Sequence, residues 1–114
     1  MPYINSTVTL KIADEKKESI KSKLGEIITE IPGKNEEWLM VGFNEEHTLF
    51  FRGDRKEKAA FIEIKIFGTT EKKYKEIITS KVCSLFEEEL NIPKDSIYII
   101  FQEINDWGWN GTMF

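Results

Sequence analysis

Ile92-Pro93-Lys94-Asp95-Ser96-Ile97-Tyr98-Ile99-Ile100-Phe101 reads as a helix end, a short link and the start of a strand. Proline cannot continue a helix. The five apolar residues from Ile97 to Phe101 have the pattern of a strand buried on both faces. The same punctuation stands earlier in the chain, as Ile31-Pro32-Gly33-Lys34-Asn35-Glu36-Glu37-Trp38.

Working outward, each Ile-Pro closes a helix. Ile20, Leu24, Ile27, Ile28 and Ile31 fall on one stripe at helical spacing, with Asp14 as the expected N-cap. Tyr74, Ile77, Ile78, Val82, Leu85 and Phe86 make the second stripe. A strand precedes each helix: Pro2 to Leu10, and Ala59 to Phe67. In the latter, Ile62, Ile64 and Ile66 share one face, and Phe61, Glu63, Lys65 and Phe67 the other. Trp38 to Phe43 reads as a strand, and Thr48 to Phe51 as its return arm through a turn at Asn44-Glu45-Glu46. Gly53-Asp54 marks a further turn, and Trp107-Gly108-Trp109 a short extended tail.

The fold class is therefore α/β: a tandem β-α-β repeat within one unit, 1–114, with pseudo-repeats at about 2–56 and 57–114. Right-handed crossovers place both helices on one face of a four-stranded sheet. Its other face is left uncovered, and the apolar run at Ile97 predicts an exposed patch. Soluble monomers rarely carry one, so a homo-oligomer is expected.

Composition narrows the function. Net charge is −4, and lysines alternate with acids, as in Lys56-Glu57-Lys58. That balance argues against nucleic acid, as does a sheet face expected to carry Glu63 and Glu103 beside Lys65. One cysteine (Cys83) and one histidine (His47) exclude a disulfide framework and a His/Cys metal cluster. His47 reads as a turn residue and Cys83 as packing. No membrane span and no leader are apparent, so a cytoplasmic location is expected.

With these features in order, the chain resembles the macrophage migration inhibitory factor family of the tautomerase superfamily. The resemblance rests on Met1-Pro2, Gly33-Lys34 before an apolar strand, Ile97-Tyr98-Ile99, and the closing Gly108-Trp109-Asn110-Gly111-Thr112-Met113-Phe114. It implies a homotrimer whose sheets form a central barrel, with pockets at subunit interfaces. It also implies proton transfer on a phenylpyruvate-like α-keto acid without a cofactor.

Pro2 is the candidate catalytic base. Removal of Met1 leaves a secondary amine, whereas every other backbone nitrogen is an amide. Burial and a nearby cation lower an amine's pKa, towards the range that general acid–base catalysis favours. The alternative is that Met1 stays or Pro2 merely starts a strand.

The resemblance assigns Lys34 to the substrate carboxylate, although a lysine there also compensates a helix dipole. It assigns a second contact to a backbone N–H, at Phe67 or, one residue earlier, Ile66. Tyr98 matches a pocket tyrosine supplied by a neighbouring subunit. Trp38 and Trp107 match pocket aromatics, and Trp109 a near-terminal tryptophan that core or interface packing explains equally well. Tyr3 is counted with the pocket. Ile100 stands where the vertebrate cytokine has asparagine, removing a side-chain donor. Lys65 replaces a histidine and adds a cation. The cytokine's Cys-x-x-Cys pair is absent. A second function remains open: a cytokine-like, receptor-binding protein secreted without a leader, its pocket vestigial.

Overall fold

The structure, a computed structural model, describes residues 1–114. Chain order is β1 (Pro2–Val8), α1 (Asp14–Ile27), β2 (Met40–Asn44), β3 (Phe50–Phe51), β4 (Asp54–Arg55), β5 (Ala60–Phe67), α2 (Lys72–Leu90), β6 (Ile97–Ile104), β7 (Gly108–Trp109) and β8 (Thr112–Met113). The main sheet has the order β2-β1-β5-β6. β1–β2 and β5–β6 are parallel, as β-α-β units require, and the two units join through the antiparallel β1–β5 pair.

One face of this sheet is the core. Ile4, Val8, Ile62, Ile64 and Ile66 are buried beneath Ile20, Leu24 and Ile28 of the first helical segment and Ile78, Val82 and Phe86 of α2. Strict alternation along β5 sends the isoleucines down and Phe61, Glu63, Lys65 and Phe67 up. Beyond the apolar contact, Glu89 of α2 clasps α1 by accepting from Lys23 at 2.6 Å, Ser19 at 3.2 Å and Lys16 at 3.4 Å.

Several expectations are corrected. Asp14 is the first helical residue, and Ala13 occupies the cap without a side-chain bond. Trp38 closes a 3-10 turn (Glu36–Trp38), so its strand begins at Met40. β2 makes no hairpin with residues 48–51. Instead Glu45 binds the Ile12 N–H at 2.6 Å and Lys17 at 2.8 Å, tying the loop after β2 to the start of α1. The hairpin is β3–β4, turning at Arg52 and Gly53, both with positive φ. That pair suits the twist of two antiparallel strands. The tail is likewise a hairpin, β7–β8, turning on Asn110-Gly111.

The uncovered face is not apolar throughout. β6 lies at the sheet edge rather than between two strands. Its apolar run therefore does not signify a central position: Tyr98 is 58% exposed and Ile100 half-buried. The middle of this face is polar, where Asn44 donates to Asn5 at 3.0 Å and Asn5 to Glu63 at 3.3 Å. Glu103 belongs to the other side. It pairs in register with Ile66 and accepts from the Thr70 N–H (2.9 Å) and Lys75 (3.2 Å), which hold its carboxyl below the usual carboxylate range.

Ser6 is the one buried polar residue of the core, and its hydroxyl lacks a hydrogen-bond partner. An unsatisfied buried hydroxyl costs about 1–3 kcal/mol. Ser6→Ala should therefore leave urea-unfolding stability unchanged or raise it by about 1 kcal/mol. Ile64→Ala, which empties fully buried volume, should cost about 2–5 kcal/mol in the same measurement at matched protein concentration.

Candidate active site

The register of β1 against β5 builds the site. Pro2 lies opposite Ile66, so the chain start meets the end of β5. There the Phe67 N–H donates to the Met1 carbonyl at 3.0 Å. Because that carbonyl is bonded directly to the Pro2 nitrogen, the Phe67 amide points at the atoms next to this nitrogen. Ile66 itself is fully buried on the helix side of the sheet.

Lys34 reaches the same point from the turn after α1. Its backbone N–H caps Ile31 at 3.1 Å, and its ammonium donates to the Phe67 carbonyl at 3.1 Å. The terminal amine feels this environment. Burial first, then a hydrogen bond and charge repulsion from Lys34, lower its pKa from 8.0 to about 6.

A cleft of about 490 Å³ opens beside this junction, lined by Met1, Pro2, Tyr3, Glu37, Trp38, Leu39, Met40, Trp107, Gly108 and Trp109. Trp38 and Trp109 meet edge to face at 5.0 Å. Phe114 stacks on Trp109 at 6.4 Å and leans on Phe67 at 5.8 Å. The structure thus brings together Pro2, Tyr3, Lys34, Trp38, Phe67, Trp107 and Trp109. Glu37, Leu39, Met40 and Phe114 were missed from sequence. The Asn-Gly hairpin signal could have found Phe114, since it turns the chain end back upon Phe67.

Tyr98 and Ile100 lie elsewhere in the subunit, and Lys65 does not line the cleft. Lys65 sits opposite Tyr3 on the open face. Tyr98 pairs in register with Phe61, five residues from Ile66 and so about 17 Å along the sheet. There it packs edge to face on Phe51 at 5.0 Å. It cannot reach Pro2 of its own chain.

A larger cleft, about 660 Å³, lies at the opposite end of β1 and contains His47, Lys11, Arg55 and Glu57. It is lined wholly by polar residues and includes none of the sequence-predicted site. No three His, Cys, Asp or Glu side chains gather as a metal site would need. Neither helix is long and apolar enough to cross a membrane.

A doubled β-α-β sheet of this form is the architecture of the tautomerase superfamily, and here a cleft opens at Pro2. The profile of the macrophage migration inhibitory factor (MIF) family matches residues 1–114. The chain is 29% identical over 116 residues to a macrophage migration inhibitory factor homolog of Trichinella spiralis, with all of both proteins covered. Among solved structures it resembles Leishmania major MIF2, with a TM-score of 0.93 and 26% identity over 100% of this chain and 97% of that one. The MIF-like protein of Entamoeba histolytica superposes with a TM-score of 0.87 at 27% identity, covering 99% and 98%. The chain belongs to the macrophage migration inhibitory factor family.

Lys34 supplies two of the three causes that lower the terminal pKa. In protein that retains Met1, Lys34→Ala should raise that pKa from about 6 towards 8.0, burial alone still holding it down. The amine would then be more protonated at pH 7. The pH dependence of its acylation rate measures the shift.

Proposed function

We propose that the chain, with Met1 removed, is a cofactor-independent keto–enol tautomerase of phenylpyruvate-like α-keto acids, with Pro2 as general acid and base. The observation that carries this reading is the Phe67 N–H bond to the Met1 carbonyl, with the Lys34 ammonium beside it. Loss of Met1 leaves that N–H without its acceptor, next to a cation and a newly basic nitrogen. An anionic oxygen satisfies both donors, and a substrate carboxylate provides it.

The proton inventory is short. The C–H bond beside the ketone breaks, its proton passes to the Pro2 nitrogen, and the electron pair moves to the carbonyl oxygen. Pro2 then delivers the proton to that oxygen, giving the enol, and the reverse sequence restores the ketone. Lys34 and the Phe67 N–H stabilise the negative charge that develops between the two steps. Trp38, Trp107 and Tyr3 enclose the remainder of the substrate.

The distance between Tyr98 and its own Pro2 bears on assembly. Tyr98 is mostly exposed, and β6 offers an unpaired apolar edge, a template for pairing with another chain. We assign Tyr98, with Ile100 beside it, to the cleft of a neighbouring subunit in a homotrimer, with Lys65 on the inner sheet face. Ile100 offers no side-chain hydrogen bond there, which leaves the Tyr98 hydroxyl as the polar group of that pair.

Pro2→Gly should lower kcat/KM on phenylpyruvate about 10²–10⁴-fold, the usual contribution of a positioned acid–base group. Undiminished turnover in a correctly assembled variant would overturn the mechanism. Subunit exchange tests the shared site. Pro2→Gly and Tyr98→Ala chains, each impaired alone, should regain activity when refolded together, because some mixed interfaces carry both native residues. Failure of mixed trimers to regain any activity would place Tyr98 outside the site.

A further inference from the structure

We propose that Phe51 is a positioning residue for the shared site: its ring sets the direction in which Tyr98 of the same chain enters the neighbouring subunit's cleft. This deepens the tautomerase reading and rests on its shared-site assembly. Phe51 and Tyr98 meet edge to face, with ring centroids 5.0 Å apart and planes at 75°. Aromatic pairs prefer that separation and tilt.

Tyr98 needs such a partner. It stands on the edge strand β6 and is 58% exposed. No hydrogen bond within the subunit holds its hydroxyl. A side chain in that situation moves among staggered rotamers, and freedom left in a site is lost at a cost when substrate binds. Phe61 is its register neighbour within the sheet. Phe51 arrives from outside the sheet and narrows the choice of rotamer.

The chain devotes a separate element to that contact. β3 and β4 form a two-stranded sheet apart from the main one. Phe51 pairs with Asp54 across the Arg52-Gly53 turn, and the Lys56 N–H closes the hairpin on the Leu49 carbonyl at 3.0 Å. Successive strand residues point to opposite sides: Phe50 is 69% exposed, whereas Phe51 is half-buried. Ala59 and Ala60, both buried, follow the hairpin and line a small, mainly apolar pocket with Phe51 and Tyr98. Methyl side chains at those positions leave room for the two rings to meet.

Phe51→Leu keeps apolar bulk and removes the ring. In assembled protein it should lower kcat/KM on phenylpyruvate about three- to tenfold, the worth of one aromatic pair. Phe51→Tyr, which keeps a ring, should retain most of the activity. In the Tyr98→Ala background Phe51→Leu should cost nothing more, because the residue through which it acts is gone. Mixed trimers show where it acts. When Pro2→Gly and Tyr98→Ala chains are refolded together, the restored interfaces take Tyr98 from the first chain and Pro2 from the second. Phe51→Leu added to the Pro2→Gly chain should lower the regained activity; added to the Tyr98→Ala chain, it should leave that activity unchanged. An equal loss from either chain, full activity of the single variant, or additivity with Tyr98→Ala would each overturn the Phe51 assignment and leave the shared site standing. No regained activity in any mixture would overturn the shared site, and the role of Phe51 with it. Undiminished turnover by Pro2→Gly alone, with the Phe51–Tyr98 coupling intact, counts against Pro2 catalysis only.

Discussion

The antiparallel ladder between β1 and β5 is the constraint on which the rest depends. It joins two β-α-β units, each of which buries only one sheet face, into a single sheet over a common isoleucine core. The same ladder sets Pro2 opposite Ile66. Strand pairing repeats every two residues, so a slip of one would turn Ile62, Ile64 and Ile66 towards solvent. Core and site are thus locked by one register: moving the site would cost the buried face.

That arrangement gives the site its polarity. At one end, a backbone donor and a lysine converge on the start of the chain. At the other, a glutamate stands among indole rings. Neither end draws on a buried charge network, because the ion pairs lie mostly on the helices and loops. Glu89 gathers two of these, and it fixes the helices to each other rather than to the site. Chemistry therefore sits at one end of the sheet, where Pro2 shares the buried face with Ile66.

Much of this was legible in the sequence because two periodicities are clean. The isoleucines of β5 alternate strictly, and both helix stripes end at an Ile-Pro, so the doubled unit could be read directly. Hairpins were harder. A turn was read at Gly53-Asp54, but the hairpin was placed at Asn44-Glu45-Glu46 because acidic and amide residues suggest one, yet Glu45 spends its carboxylate on Ile12 and Lys17 instead. Only tertiary contact reveals that use. The face of Glu103 was misjudged because nothing local marks how far β6 extends beyond its apolar run. Residues grouped at the cleft by resemblance, such as Trp38 and Trp107, do line it, with Lys34 at Phe67 beside it. Glu37 and Phe114 were missed because one sits in a charged loop and the other at a chain end, where sequence carries little pattern.

The tail hairpin has a practical corollary. Phe114 rests on Phe67, whose amide also holds the first residue of the chain, so both termini are committed to the same few ångströms of surface. A fusion partner or affinity tag at the front would keep Pro2 acylated and the Phe67 N–H engaged by the preceding carbonyl. The Arg52-Gly53 turn is instead an exposed tip remote from both ends, and such tips are where chains tolerate insertion. For tethering, labelling or circular rearrangement, this protein offers a loop where most offer an end.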